Sequence, residues 1–167
     1  DIYASSQRIT VTNERSHLIM GFIDVIKERA KSSIKTIVLP ETEDMRTLEA
    51  ADKILKEGIA KLVLVGNEEA VKKSAAEGGF DISGAQIVDP ATSEKTQGYI
   101  DKLVELRQKK GMTPEQAKEI LLNQYLYYGV MMVKMGDADG MVSGACHSTA
   151  DTLRPCLQIL KTTPGTK

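Results

Sequence analysis

The stretch KTIVLPETEDMRTLEAADKILKEGIAKLVLVGN, Lys35–Asn67, decides the fold. Thr36-Ile37-Val38-Leu39 is a short β-branched and aliphatic run closed by Pro40, the form of a strand buried on both faces. In the polar segment that follows, Thr42 is placed to cap a helix, and Glu43 and Asp44 suit its positive N-terminal end. Leu48, Ala51, Ile54 and Leu55 then fall on one helical face, and Gly58 stops the helix. Leu62-Val63-Leu64-Val65-Gly66 reads as a second buried strand. Two such strands joined by an amphipathic helix form a crossover unit and lie parallel.

The pattern continues outward. Asn67 caps a helix over Glu68–Glu77, and Gln86-Ile87-Val88 is a third strand, ended by Asp89-Pro90. Short apolar strands alternating with amphipathic helices predict an α/β fold, a parallel, doubly wound sheet with helices on both faces. Ligands of such sheets gather beyond the carboxyl ends of the strands. The candidate loops are therefore Pro40–Arg46, Gly66–Glu69, Asp89–Ser93 and Ser143–Thr152. A longer helical insertion runs from about Lys95 to Gly136. Within it, Thr113-Pro114-Glu115-Gln116 matches a capping box with proline at the first helical position. Leu126–Met135 is apolar almost all round, which predicts a buried helix whose methionines fill space. Asp137-Ala138-Asp139-Gly140 lacks the spacing of a calcium loop and reads as a turn into a strand.

The N-terminus does not fit this pattern. Asp1–Ile19 is polar and weakly patterned and is followed by Met20, so residues 1–19 are expected to be a leader or appended segment outside the fold. Residues 20–167 are expected to form one α/β lobe. Phe22-Ile23-Val25-Ile26, with interleaved charges, predicts a helix to about Lys31.

Composition narrows the function classes. A net charge of −1 and 4% aromatic residues argue against nucleic acid, which favours a basic face or stacking rings. No apolar run approaches the roughly 20 residues of a membrane helix, and Leu18–Ile26 contains Asp24. Cys146 and Cys156 match neither a disulfide framework nor a CxxC metal pair, which makes the cytoplasm the default location. No Walker or dinucleotide fingerprint is present.

Chemistry concentrates in MVSGACHSTADTLRP, Met141–Pro155. A strand ends there, Ser143-Gly144 turns away, and Ser148, Thr149 and Thr152 follow with His147 among them and Arg154 at the end. Unpaired N–H groups at such a turn attract anions, and Arg154 adds a two-pronged donor. A capping loop whose hydroxyls satisfy a helix start is the competing reading. Arg107 continues the apolar face set by Ile100, Leu103 and Val104, so it either snorkels from the helix end or points into a cleft. Arg46 opposes the dipole of its helix, which suggests an anionic ligand or a salt bridge to Glu43 or Glu49. Ser143, His147 and Asp151 lie four apart, but Gly144 interrupts the helix that a triad would need. Cys146 and His147, as neighbours in an extended loop, are expected to diverge.

With these residues in view, the chain resembles the N-terminal half of the phosphate acetyltransferase (phosphotransacetylase) family. The resemblance is carried by KTIVLPETEDMRTLEAA (Lys35–Ala51), KLVLVGN (Lys61–Asn67), IVDP (Ile87–Pro90), YIDKLVELRQKKG (Tyr99–Gly111) and VSGACHSTADTLRPCLQILKT (Val142–Thr162). It implies an isocitrate dehydrogenase-like lobe, homodimers, and acetyl transfer between coenzyme A and inorganic phosphate in acetate metabolism. The implied substrates are acetyl-CoA, phosphate and acetyl phosphate, with no metal and no tightly bound cofactor. By the same resemblance, Arg154 and Arg107 are catalytic. Arg46, Ser143, Gly144, His147, Ser148 and Thr149 line the phosphate and coenzyme A side. The family's thiol-activating base has no match in these residues, so the chain alone is expected to be inactive. A phosphate butyryltransferase, a non-catalytic lobe and a dehydrogenase of similar architecture are the alternatives.

Overall fold

The computed structural model describes residues 10–162 and 165, with side chains described from Gly21 onward. The described residues fall into two compact units divided between Ile34 and Lys35. The first holds one helix, α1 (Thr10–Ser32), on which Phe22 and Val25 are two-thirds exposed. The expected helix to Lys31 is present and begins earlier, so residues 10–19 are helical. What was expected of residues 1–9 lies outside the described residues.

The second unit carries the sheet. In chain order its elements are β1 (Thr36–Leu39), α2 (Met45–Glu57), β2 (Lys61–Val65), α3 (Glu68–Gly78), β3 (Gln86–Val88) and α4 (Thr96–Arg107). A 3₁₀ turn over Gln108–Lys110 leads to α5 (Pro114–Asn123), α6 (Tyr125–Met135), β4 (Gly140–Met141) and α7 (Thr149–Pro155), closed by one π-type turn over Cys156–Leu160. The strand order is β3-β2-β1-β4 and every pairing is parallel. Val38 sits opposite Val63 in β2 and Met141 in β4.

Alternation along the strands divides the core. Leu39, Leu62 and Leu64 pack with Leu48 and Ala51 of α2 and Val71 and Ala75 of α3. Val38, Val63 and Val65 face the other way, onto α4, α5 and α6 through residues such as Leu103, Leu121 and Val130. Period-two side chains on a sheet covered on both faces leave no polar side, which is why these strands read as unbroken apolar runs. α6 approaches the sheet so closely that a Cβ on Gly129 would come within 2.8 Å of Met141 Sδ and 3.1 Å of Val38 Cγ1. Leu126 and Tyr127–Met132 are all buried, as the apolar sequence of this helix predicted.

Most caps follow the sequence. Asn67 accepts from Ala70 N, Gly58 ends α2 in the left-handed region, and Thr113 and Gln116 form the reciprocal capping box. One does not: Asp44, not Thr42, caps α2. The Thr42 hydroxyl instead donates to the Val65 carbonyl at 2.9 Å and ties the end of β1 to the end of β2. The acidic turn Asp137–Gly140 leads into β4 as expected, and Asp139 accepts from Thr36 N at 2.8 Å.

Strand order sets the position of the site. From β1 the chain winds through β2 to β3, then returns across the other face and adds β4 on the far side of β1. The direction of winding reverses between β1 and β4. Beyond the carboxyl ends of those two strands lies the crevice where doubly wound sheets take their ligands.

Candidate active site

Two loops meet at the crevice, Pro40–Asp44 after β1 and Val142–Ser148 after β4. Glu41 joins them. It is 1% exposed, and its carboxylate accepts four successive backbone N–H groups of the second loop. Oε2 takes Gly144 N at 2.6 Å and Ala145 N at 2.8 Å, and Oε1 takes Cys146 N at 3.1 Å and His147 N at 3.0 Å. Gly144 reaches this geometry with φ of 110°, a conformation that glycine alone adopts readily. Burial pushes the Glu41 carboxyl up. Hydrogen bonds from Ala145, His147, Cys146 and Gly144 outweigh it and hold the pKa at about 2.

This corrects the sequence reading at one point. The Ser143–His147 loop is an anion-binding turn, but its N–H groups are not unpaired, because the protein's own carboxylate fills the turn. A second correction concerns Cys146 and His147, which were expected to diverge. The thiol lies 3.4 Å from His147 Nδ1 and 3.6 Å from Glu41 Oε1, and His147 Nδ1 lies 2.9 Å from that same oxygen. Both side chains converge because Glu41 draws the loop around itself.

Glu41, Cys146 and His147 place possible metal-ligand atoms within 4.8 Å of one another. The carboxylate of that trio already accepts four backbone N–H groups and one ring nitrogen, so the cluster is a hydrogen-bond hub. The Cys146 thiol is pushed up to about 11, by burial first and then by the charges of Glu43 and Glu41.

A cavity of about 250 Å³ opens beside this hub, lined by Glu43, Tyr127, His147, Asp151 and Arg154 among others. Arg154 lies on α7, half exposed, 3.7 Å from Asp151. Arg107 ends α4 with its Nε buried and without a hydrogen-bond partner among the described residues. Burial pushes the Tyr127 phenol up, and the charges of Arg154 and Arg107 oppose that shift. Tyr127 donates to Gln158 at 3.0 Å, which ties α6 to the turn after α7.

The remaining sequence candidates divide. Arg46 stands over a second opening of about 250 Å³, shared with Glu41, Ser143 and Ala145. Its guanidinium pairs with Asp44 at 2.6 Å, not with Glu43 or Glu49, and donates to the Ala145 carbonyl at 2.5 Å. Ser143 Oγ and Thr152 Oγ1 are buried without partners among the described residues. Ser148 caps α7, accepting from Asp151 N and donating to Asp151 Oδ2, so here the capping reading is correct. Thr149 is the exposed first residue of that helix. Glu41 was not singled out by the sequence, because its partners lie 103–106 residues ahead.

A doubly wound lobe with an arginine-lined cavity at its switch point belongs to the class of α/β proteins whose ligands sit beyond the carboxyl ends of the strands. Within it, residues 21–167 match the family described as phosphate acetyl/butaryl transferase, and the chain belongs to that family. It is 58% identical over 148 residues to a phosphate acetyltransferase of Acetivibrio thermocellus and 52% identical over 148 residues to one of Clostridium acetobutylicum. Each comparison covers 89% of this chain and 44% of the relative, so the chain spans just under half of their length. Solved phosphotransacetylases agree in fold. The Staphylococcus aureus protein superposes with a TM-score of 0.80 at 42% identity over 89% of this chain and 44% of that one. The Streptococcus pyogenes protein gives 0.83 at 39% identity over 89% and 45%.

Proposed function

We propose that these residues form one wall of a site that moves an acetyl group between coenzyme A and inorganic phosphate. The observation that carries this reading is the cavity beyond β1 and β4, lined by Arg154, His147 and Tyr127 at the sheet's switch point. Arg154 pairs with Asp151 at 3.7 Å. A guanidinium on that cavity suits an anion whose charge changes during the reaction. When the coenzyme A thiolate attacks acetyl phosphate, the new C–S bond forms, the acyl C–O bond breaks, and phosphate leaves with the electron pair. Arg154 faces that leaving charge, and Arg107 holds the reacting ends together. Arg46, at the second opening, meets a phosphate of coenzyme A. Acetyl-CoA, phosphate and acetyl phosphate are then substrates rather than resident groups. Cytoplasmic location and pairing into homodimers belong to the same proposal through the family resemblance.

The test is release of coenzyme A thiol from acetyl-CoA on addition of phosphate. It is run on this chain and on a protein of the relatives' length that carries it. Phosphate-dependent release in the longer protein supports the reading. No release above background there, with the fold intact, overturns it. Replacing acetyl-CoA with butyryl-CoA in the same assay decides between the acetyl and butyryl reactions.

A further inference from the structure

The loops after β1 and β4 bring a carboxylate, a thiol and an imidazole together. Cys146 Sγ lies 3.4 Å from His147 Nδ1 and 3.6 Å from Glu41 Oε1, and the last two atoms lie 2.9 Å apart. Around a tetrahedral zinc ion, with bonds of about 2.0–2.3 Å, sulfur, nitrogen and oxygen ligands stand about 3.4–3.6 Å from one another. Two of the three separations already match, and the third has to open by about 0.5 Å. Glu41 Oε1 now meets the N–H groups of Cys146 and His147 together with the ring and the thiol. An ion between the three atoms replaces the ring and thiol contacts with a single one, so that oxygen is not crowded further. Oε2 meanwhile goes on holding Gly144 and Ala145.

The surroundings suit a cation as well. The His147 ring has a carboxylate at each nitrogen, Glu41 at Nδ1 and Glu43, whose Oε1 is 4.0 Å from Nε2. Metal-bound imidazoles give their other ring N–H to such an outer carboxylate, which holds the ring in place. Cys146 is exposed, and His147 lines the cavity shared with Glu43, Asp151 and Arg154, so a fourth position is open to solvent. On that cavity the two carboxylates outnumber the one guanidinium. Thiolate and imidazole ligands favour a soft or borderline ion over magnesium or calcium. We propose that Glu41, Cys146 and His147 form a site for a thiophilic divalent cation, zinc or cadmium, with Glu43 as the outer partner of the ring. Binding forms the metal–sulfur bond and releases the thiol proton to solvent. The open position makes the ion exchangeable, in contrast to a closed structural zinc site.

Calorimetric titration of the native chain with zinc chloride tests this, with cobalt(II) as a spectroscopic probe of the same site. One zinc ion per chain is expected, and excess magnesium should not displace it. Cys146→Ser and His147→Ala should each weaken zinc binding at least about tenfold. Cys156→Ser, which changes the other free cysteine, should bind zinc as the native chain does. Cobalt should give a thiolate-to-metal charge-transfer band that Cys146→Ser removes. That band reads sulfur ligation in the native chain, so the test stands even where a variant fails to fold. No band in the native chain, unchanged affinity in Cys146→Ser, or displacement by magnesium overturns the proposal. The site is independent of the acetyl-transfer reading: zinc binding intact with no thiol release in the longer protein would count against that reading alone.

Discussion

The Glu41 carboxylate lies 2.6 Å from the Gly144 backbone nitrogen and joins the end of β1 to the loop after β4 across 103 residues of chain. That contact closes the crevice between the two strands whose connections diverge. It also decides which groups remain available to a ligand there, namely the side chains of His147 and Arg154.

Acid should loosen this joint. The Glu41 pKa is about 2 in the folded protein against an ordinary 4.5. The folded state thus binds fewer protons, and the contribution is complete above about pH 4.5 and lost as pH falls towards 2. Urea midpoints measured between pH 6 and pH 3 should fall for the native chain. Glu41→Gln should show a shallower fall from a lower starting stability. Parallel pH dependences would mean that this carboxylate does not govern the acid limb.

Gly144→Ala should destabilise the chain by about 1–3 kcal/mol through backbone strain alone. A Cβ at this position meets nothing within 4 Å, while φ is 110°. Crowding is therefore not the cause, and a denaturation midpoint equal to that of the native chain would show that the loop can relax.

The Cys146 thiol should be slow to alkylate although the residue is exposed. Burial of the sulfur and the charges of Glu43 and Glu41 push its pKa up to about 11. Iodoacetamide labelling mapped by mass spectrometry should be far slower than for a free thiol at pH 8 and should rise with pH beyond 10. Glu43→Gln should speed labelling at fixed pH, because it removes a repelling charge. Rapid labelling of the native chain at pH 7 would contradict the assignment.

Arg46→Ala should leave the urea midpoint close to that of the native chain, since its guanidinium is exposed in the pair with Asp44. If Arg46 meets coenzyme A, the KM for acetyl-CoA in the longer protein should rise more than kcat falls. A loss confined to kcat would move Arg46 to the reacting centre.

Much of the fold was legible because local patterns and tertiary packing agree. The three runs Thr36–Leu39, Leu62–Val65 and Gln86–Val88 are strands, and Asn67 and Thr113 cap the helices that follow them. Thr42 misled because its hydroxyl is held by the Val65 carbonyl, a cross-strand tie that no local pattern encodes. Glu41 was hidden for the same reason. In PETED it is one acid among three near a helix start, and its role depends on β1 and β4 lying side by side. Only an acid directly after a strand-closing proline, matched with a glycine-containing loop after another strand, could have signalled it. The converging pair Cys146 and His147 was misread because loop neighbours diverge unless a buried group turns them together.

The central claim is that Arg154 faces the phosphate of the acetyl-transfer reaction. The most direct measurement is kcat/KM for phosphate-dependent thiol release by Arg154→Lys in a protein of the relatives' length. Lysine keeps the charge and loses the two-pronged geometry. A loss of about 100-fold or more is predicted, the scale of one missing oxyanion donor, or about 3 kcal/mol. Near-native turnover would contradict the account, leaving Arg154 as a surface cation paired with Asp151 that steadies α7.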